Sequence, residues 1–193
     1  MSESAPIDAV EEHVQAYFAD HGVASEPYDL GHNRRHKIPG LRIITVSPGP
    51  LADTWTYVTA GCSTSVPGQE PGLEFLLSAP GREKAFAELL AMIAYYHASY
   101  RLELAHSMPL GMPWTEGSRC DHLLTTRPRP HGPELEHCTL PAGRARLLRI
   151  LPVTPDELVF RRANGHEALE ALFAEASLAP ADPLRASVVR SPG

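Results

Sequence analysis

Nineteen residues, "HSMPLGMPWTEGSRCDHLL" from His106 to Leu124, gather two histidines, a tryptophan, a cysteine and an aspartate. Cys120 and His122 are two apart, so on a strand they share a face, and His106 falls on an expected neighbouring strand. Three such ligands would make an open zinc site of the catalytic kind. The pattern stops short of that: there is no HExxH, no CxxC-type pair and no acidic partner at a fixed spacing. No metal and no cofactor is therefore assigned. His106, Asp121 and His122 read as structural loop residues, the histidines bonding to backbone while "MPLGMPW" packs over a sheet. A hydrolase or zinc metalloenzyme using His106, Cys120 and His122 is the alternative.

Nucleophilic catalysis is no better signalled. The chain has no GxSxG elbow, and Asp121 and His122, as neighbours on a strand, would point to opposite faces. Triads are recognised by geometry in space, which a sequence does not display. The residues as they stand read as non-enzymatic.

Binding is the other chemistry on offer. Trp55, Tyr57 and Trp114 are large amphipathic side chains of the kind that anchor interfaces, and equally of the kind that fill cores. Glu74 interrupts the apolar run "LEFLL", where a carboxylate must be paired or face a groove. Reversing its charge, or trimming Tyr57 to alanine, is expected to weaken a complex and leave the domain folded. Basic residues cluster in "GHNRRHK" and in "RPRPH" with Arg144, Arg146 and Arg149. Such runs are commonly solvated faces, although arginine forks suit carboxylates and phosphates.

Composition narrows the classes. In 193 residues there are 17 Lys and Arg against 23 Asp and Glu, a net charge of −6, which argues against nucleic acid as partner. A hydrophobic share of 43% and a charged share of 21% are globular values. Three cysteines without CxxC spacing fit a reducing compartment. The start, "MSESAPIDAVEEHV", has neither the basic nor the apolar part of a secretory signal, and no apolar run approaches a membrane span. A cytoplasmic protein with no membrane partner is expected; its oligomeric state is unknown.

The elements that would position these residues follow from periodicity. An amphipathic helix is expected over 7–21, from Ile7, Val10, Val14, Tyr17 and Phe18, with Gly22 as its stop. Strands are expected at 41–46, 54–62, 73–79, 101–106, 122–128 and 145–153, and a long helix at 82–100. "TPDE" at 154–157 has the form of a capping box, opening a helix that stops at Asn164-Gly165. A second helix runs to about Ala176, and residues 177–193 form an extended tail. The order predicts one α+β domain over 1–193, with helices packed on a mixed, largely antiparallel sheet.

Several blocks also carry a resemblance. "TWTYVTAGCS", "LEFLLS", "ELLAMIAYY", "LELAHSMPLG", "DHLLTTRP", "LPVTPDELVFRRANGHEALEALF" and "DPLRASVV" follow in an order that resembles the suppressor of fused (SUFU) family over roughly 40–190. The resemblance implies the fold of that family's N-terminal domain, no catalytic activity and a protein partner. In animal members a transcription-factor peptide is clamped between this domain and a second one, which the chain does not match. Bacterial single-domain members include immunity proteins of polymorphic toxin systems, so a cognate toxin is one implied partner. In the family pattern the positions of Tyr57 and Glu74 lie on strands bordering the peptide-binding face.

Overall fold

The structure, a computed structural model, describes residues 4–189. Helix α1 (Ala5–Tyr17) buries Ile7, Val10 and Val14. It ends earlier than its apolar spacing suggests, because Phe18 turns out of helical geometry and His21 goes to other work. The His21 ring meets the Ser47 carbonyl at Nδ1 (2.8 Å) and takes the Leu51 amide at Nε2 (3.1 Å).

Eight strands form one sheet: β1 (Val23–Pro27), β2 (Arg42–Val46), β3 (Trp55–Ala60), β4 (Gly72–Ala79), β5 (Ser107–Pro109), β6 (His122–Thr126), β7 (His137–Thr139) and β8 (Arg144–Val153). Their order is β1-β2-β3-β4-β8-β6-β5, and β7 also pairs with β8. The β4–β8 pairing is parallel and all the others are antiparallel. The long β8 is lined along one edge by β4 and along the other by β7 and β6, end to end. This is the mixed, largely antiparallel α+β architecture that the sequence predicts.

Two strands were not expected. β1 has a single run "VASEP" with two apolar residues at an exposed edge, and β7 is three residues long. The expected strand 101–106 is instead the exit from helix α2 (Lys84–Tyr100): Arg101 takes a left-handed backbone with φ 50°, and Ala105 another with φ 68°. The chain then pairs only at 107–109. A one-turn helix α3 (Pro133–Glu136) precedes β7.

Strand alternation divides the core in two. Ile43, Tyr57, Phe75, Leu77, Leu148 and Ile150 pack with Phe86, Leu90, Ile93 and Ala94 of α2. On the opposite face α1 covers Ile44, Val58, Leu76 and Leu147. Farther along that face, helices α4 (Pro155–Asn164) and α5 (His166–Glu175) cover Leu124, Leu151 and Val153 through Leu158, Leu169 and Phe173. The capping box at α4 forms as expected: the Thr154 side chain accepts from the Glu157 amide, and the Glu157 carboxylate accepts from the Thr154 amide.

His97 of α2 is wholly buried; its Nδ1 accepts the Leu102 amide at 3.0 Å and its ring meets Phe75 edge-on. Burial, with Arg101 adding to it, lowers its pKa from 6.5 to about 4. Such a group is neutral in the fold but charges once unfolded, so its contribution is full above pH 6.5 and is lost as pH falls toward 4. Between pH 7 and 5 the protein is expected to lose about 2 kcal/mol through this ring. Urea unfolding of wild type and His97→Gln at both pH values checks it; equal losses in the two proteins would refute the assignment.

Candidate functional site

The stretch from His106 to Leu124 does not converge on a metal. His106 is exposed and lies opposite Thr125, donating its amide to the Thr125 hydroxyl, while its Nδ1 takes the Glu103 amide. Thr125 is three residues along β6 from His122, roughly 10 Å at strand rise. Cys120 is not on a strand; it is buried ahead of β6, and burial pushes its thiol up. Among the described residues no group of three or more His, Cys, Asp and Glu could hold a metal ion. Asp121 and His122 do not point apart, because Asp121 precedes the strand: His122 Nδ1 sits 2.7 Å from the Asp121 carboxylate.

The aromatics do gather. Trp55 and Tyr57 lie two apart on β3, Tyr57 packs on Phe86 at 6.0 Å, and Phe86 packs on Trp114 at 5.8 Å. The cluster sits where α2 begins. Trp55 is half-buried beneath the Arg82 guanidinium, 5.8 Å from its ring centre. Tyr57 is interior, and its hydroxyl accepts the Glu83 amide and is placed to donate to the Gly81 and Glu83 carbonyls. Trp114 is buried too, with its indole nitrogen unpartnered among the described residues.

Glu74 stands apart from that cluster. It is fully buried, and its carboxylate accepts the Thr59 hydroxyl at 2.6 Å and the amides of Gly61 (2.9 Å), Cys62 (3.2 Å) and Ser63 (2.9 Å). Three successive amides closing on one anion require an unusual backbone. Gly61 supplies it with φ 122°, and Gly72 lets the turn press close, since a Cβ there would lie 2.0 Å from the Ser63 carbonyl oxygen. Burial pushes the carboxyl up and the donors pull it back. Every partner is a donor, so the cradle fits the ionised form. This burial contradicts the expectation that Glu74 can be reversed, or Tyr57 trimmed, at no cost to the fold.

The tail is not simply extended. Arg185 is buried and forks the Glu157 carboxylate at 2.7 and 2.8 Å, and Nη2 also donates to the Pro152 carbonyl at 2.6 Å. Glu157 takes the Val188 amide as well, so one carboxylate closes both the α4 cap and the chain's return across it. Residues 190–193 of the expected tail lie outside the described residues.

Two features escaped the sequence reading. Met92, Tyr96 and Tyr100, four apart, form an outward stripe on α2 with exposures of 63%, 41% and 71%, the two tyrosine rings 4.8 Å apart. Their i, i+4 spacing was there to be read, but helical spacing alone does not say which stripe faces out. Arg149, grouped in sequence with the solvated arginines, is buried on β8; like Glu74 it interrupts an apolar run, "LLRIL". By contrast Arg34 lies over the Tyr95 ring and Arg35 pairs with Asp29 in solvent.

Known proteins match nearly the whole chain. The family model described as suppressor of fused protein matches residues 37–186. A suppressor of fused homologue from Neisseria gonorrhoeae superposes with TM-score 0.82 at 28% identity, covering 97% of this chain and 98% of that one. A chain of the Sufu–Fu complex superposes with TM-score 0.73 at 15% identity, over 95% of this chain and 92% of that one. Drosophila suppressor of fused does so with TM-score 0.69 at 16% identity, over 95% of this chain and 51% of that one. The last two likenesses are of fold. No match was found among curated proteins.

Proposed function

The chain belongs to the suppressor of fused family, and from that premise we propose that it is a non-enzymatic protein-binding module, in the specific form of an immunity protein that covers the active surface of a cognate toxin. The observation that carries the binding reading is the α2 stripe. Met92, Tyr96 and Tyr100 are held outward on a packed helix as an exposed, largely apolar stripe, and tyrosine and methionine are enriched at interfaces. Trp55, half-buried on β3 beneath Arg82 near the start of α2, is proposed as a further contact, packed against the cluster that holds Tyr57 and Trp114. Glu74 acts behind this face by fixing the β3–β4 backbone. The immunity form draws support from charge: at −6 the chain gains association rate toward a basic target, as many nucleases are. Among the described residues no helix is long and apolar enough to cross a membrane.

Co-expression with the toxic domain encoded nearest its own gene is expected to restore growth. Tyr100→Ala and Met92→Ala are expected to weaken the complex about tenfold each, with the thermal midpoint unchanged because both side chains are exposed. Binding without rescue would end the immunity form. A complex indifferent to both variants, and to Trp55→Ala, would place the contact elsewhere on the domain.

A further inference from the structure

The sheet face opposite α2 is covered by two helical groups that do not share a cluster: α1 over β2, β3 and β4, and α4 with α5 over β6 and the end of β8. Between them lies a groove of ≈ 740 Å³, floored by Ser78 of β4 and Arg149 of β8. A second recess of ≈ 530 Å³ shares Arg129, Pro130, Arg149 and Leu178 with it and runs beneath α5 to Phe173. Leu148 and Ile150 face α2, so Arg149 faces the groove, flanked in register by Leu76 and Thr126.

Arg149 is 7% exposed. Its Nε donates to the Thr126 hydroxyl at 3.4 Å and its Nη1 to the Arg129 carbonyl. Its Nη2 makes no hydrogen bond among the described residues, which leaves that donor to the groove. Around it stand Arg129 and Glu170, 3.6 Å apart, and His166, 3.6 Å from Glu170, whose Oε1 has no hydrogen bond among the described residues. His131, bonded to the Tyr17 hydroxyl, lies on the far wall, and Asp53 and Asp182 lie on the exposed rim. Burial lowers both imidazoles, His131 to about 4, and Arg149 to about 10, which still leaves the guanidinium charged at neutral pH. Among the described residues the one buried cation of the groove is thus Arg149, with the Glu170 carboxylate beside it taken up by the exposed Arg129 and by His166, and with Asp53 and Asp182 out in solvent. A buried cation on the same face as Leu76, Leu147 and Leu151 is costly unless a partner compensates it.

We propose that this groove holds an extended acidic segment of a partner protein, with an Asp or Glu carboxylate of that segment forked by Arg149 and Arg129. The unused Nη2 donor of the buried Arg149 guanidinium selects the carboxylate. The walls select an extended chain: Pro50, Pro80, Pro130, Pro180 and Pro183 line the groove, so its shape is set before binding, and Leu51 and Leu178 offer apolar contact beside the charge. The choice of a protein as occupant rests on the binding-module reading; the anion site itself does not.

A displayed library of random decapeptides, panned against the full chain, tests this. Wild type is expected to enrich peptides with Asp or Glu at one fixed position among apolar residues, and a synthetic copy to bind about 30-fold more tightly than its Gln or Asn twin. Arg149→Met is expected to lose these peptides. Ala179→Trp, which fills the groove from an exposed wall position and leaves the Arg149 bonds in place, is expected to lose them too and guards against a folding defect. Enrichment with no fixed acid, or retention by Ala179→Trp, overturns the proposal. So does a wild type that enriches nothing and binds inorganic phosphate at the groove, since the occupant is then a small phosphorylated ligand. The α2 variants lie across the sheet and are expected to keep the peptides. Loss of the natural partner in those variants, with no peptide enriched by wild type, sinks the groove and spares the binding module.

Discussion

Arg185→Ala is expected to lower the free energy of unfolding by about 3–5 kcal/mol, the cost of stranding a buried charge. Glu157 has no solvent exposure and loses both teeth of the fork at once, while the Pro152 carbonyl loses its donor. Typical domains have only about 5–15 kcal/mol in hand, so the variant should show a much earlier urea midpoint. Removing both charges is the control. Arg185→Met with Glu157→Gln removes the stranded anion and keeps an acceptor for one of the two amides, Thr154 or Val188, which donate to different oxygens of Glu157. The double variant should therefore recover part of what the single loses. A single variant within about 1 kcal/mol of wild type would show that the fork is not held in solution.

Glu74→Leu should cost about 4 kcal/mol. It orphans a hydroxyl and three backbone amides together, and each buried donor left unmade costs about 1–3 kcal/mol, with less than full additivity. Glu74→Gln should cost about half as much, since one oxygen still accepts while the new amide group confronts donors. Amide hydrogen exchange gives a second readout: the amides of Gly61, Cys62 and Ser63 should lose protection before those of the α2 core. Loss of stability without faster exchange at those three positions would refute the cradle.

What could be read beforehand follows a physical divide. Runs whose burial decides their structure, "LEFLLSA" and "ARLLRILPV", announce themselves, as does the capping box at Thr154, whose partners are three residues apart. β1 does not, because an edge strand of "VASEP" owes its structure to β2 and not to its own apolar content. "RLELAH" misleads: it has strand composition, but Arg101 takes the left-handed turn that usually falls to glycine, and the run becomes a helix exit. Sites divide the same way. Glu74 was conspicuous as a charge in an apolar run, yet its partners lie 11 to 15 residues back and only the folded backbone gathers them. Arg149 carried the same signal and was masked by the exposed arginines around it. Arg185 reaches Glu157 across 28 residues, beyond any local pattern.

The lone parallel pairing has a bearing on the order in which the chain can be assembled. β1 to β4 form a meander of short-range contacts, whereas β4 must wait for β8, because Gly72 pairs with Ala145. Until the intervening segment has been synthesised and closed, β4 is an eight-residue edge every position of which is destined for burial. Non-local closure of this kind slows folding, and an open apolar edge is the surface on which strands of other chains add. The nascent protein is therefore most prone to aggregate between the emergence of residue 79 and the docking of β8, and it is in that interval that a chaperone would have most to protect.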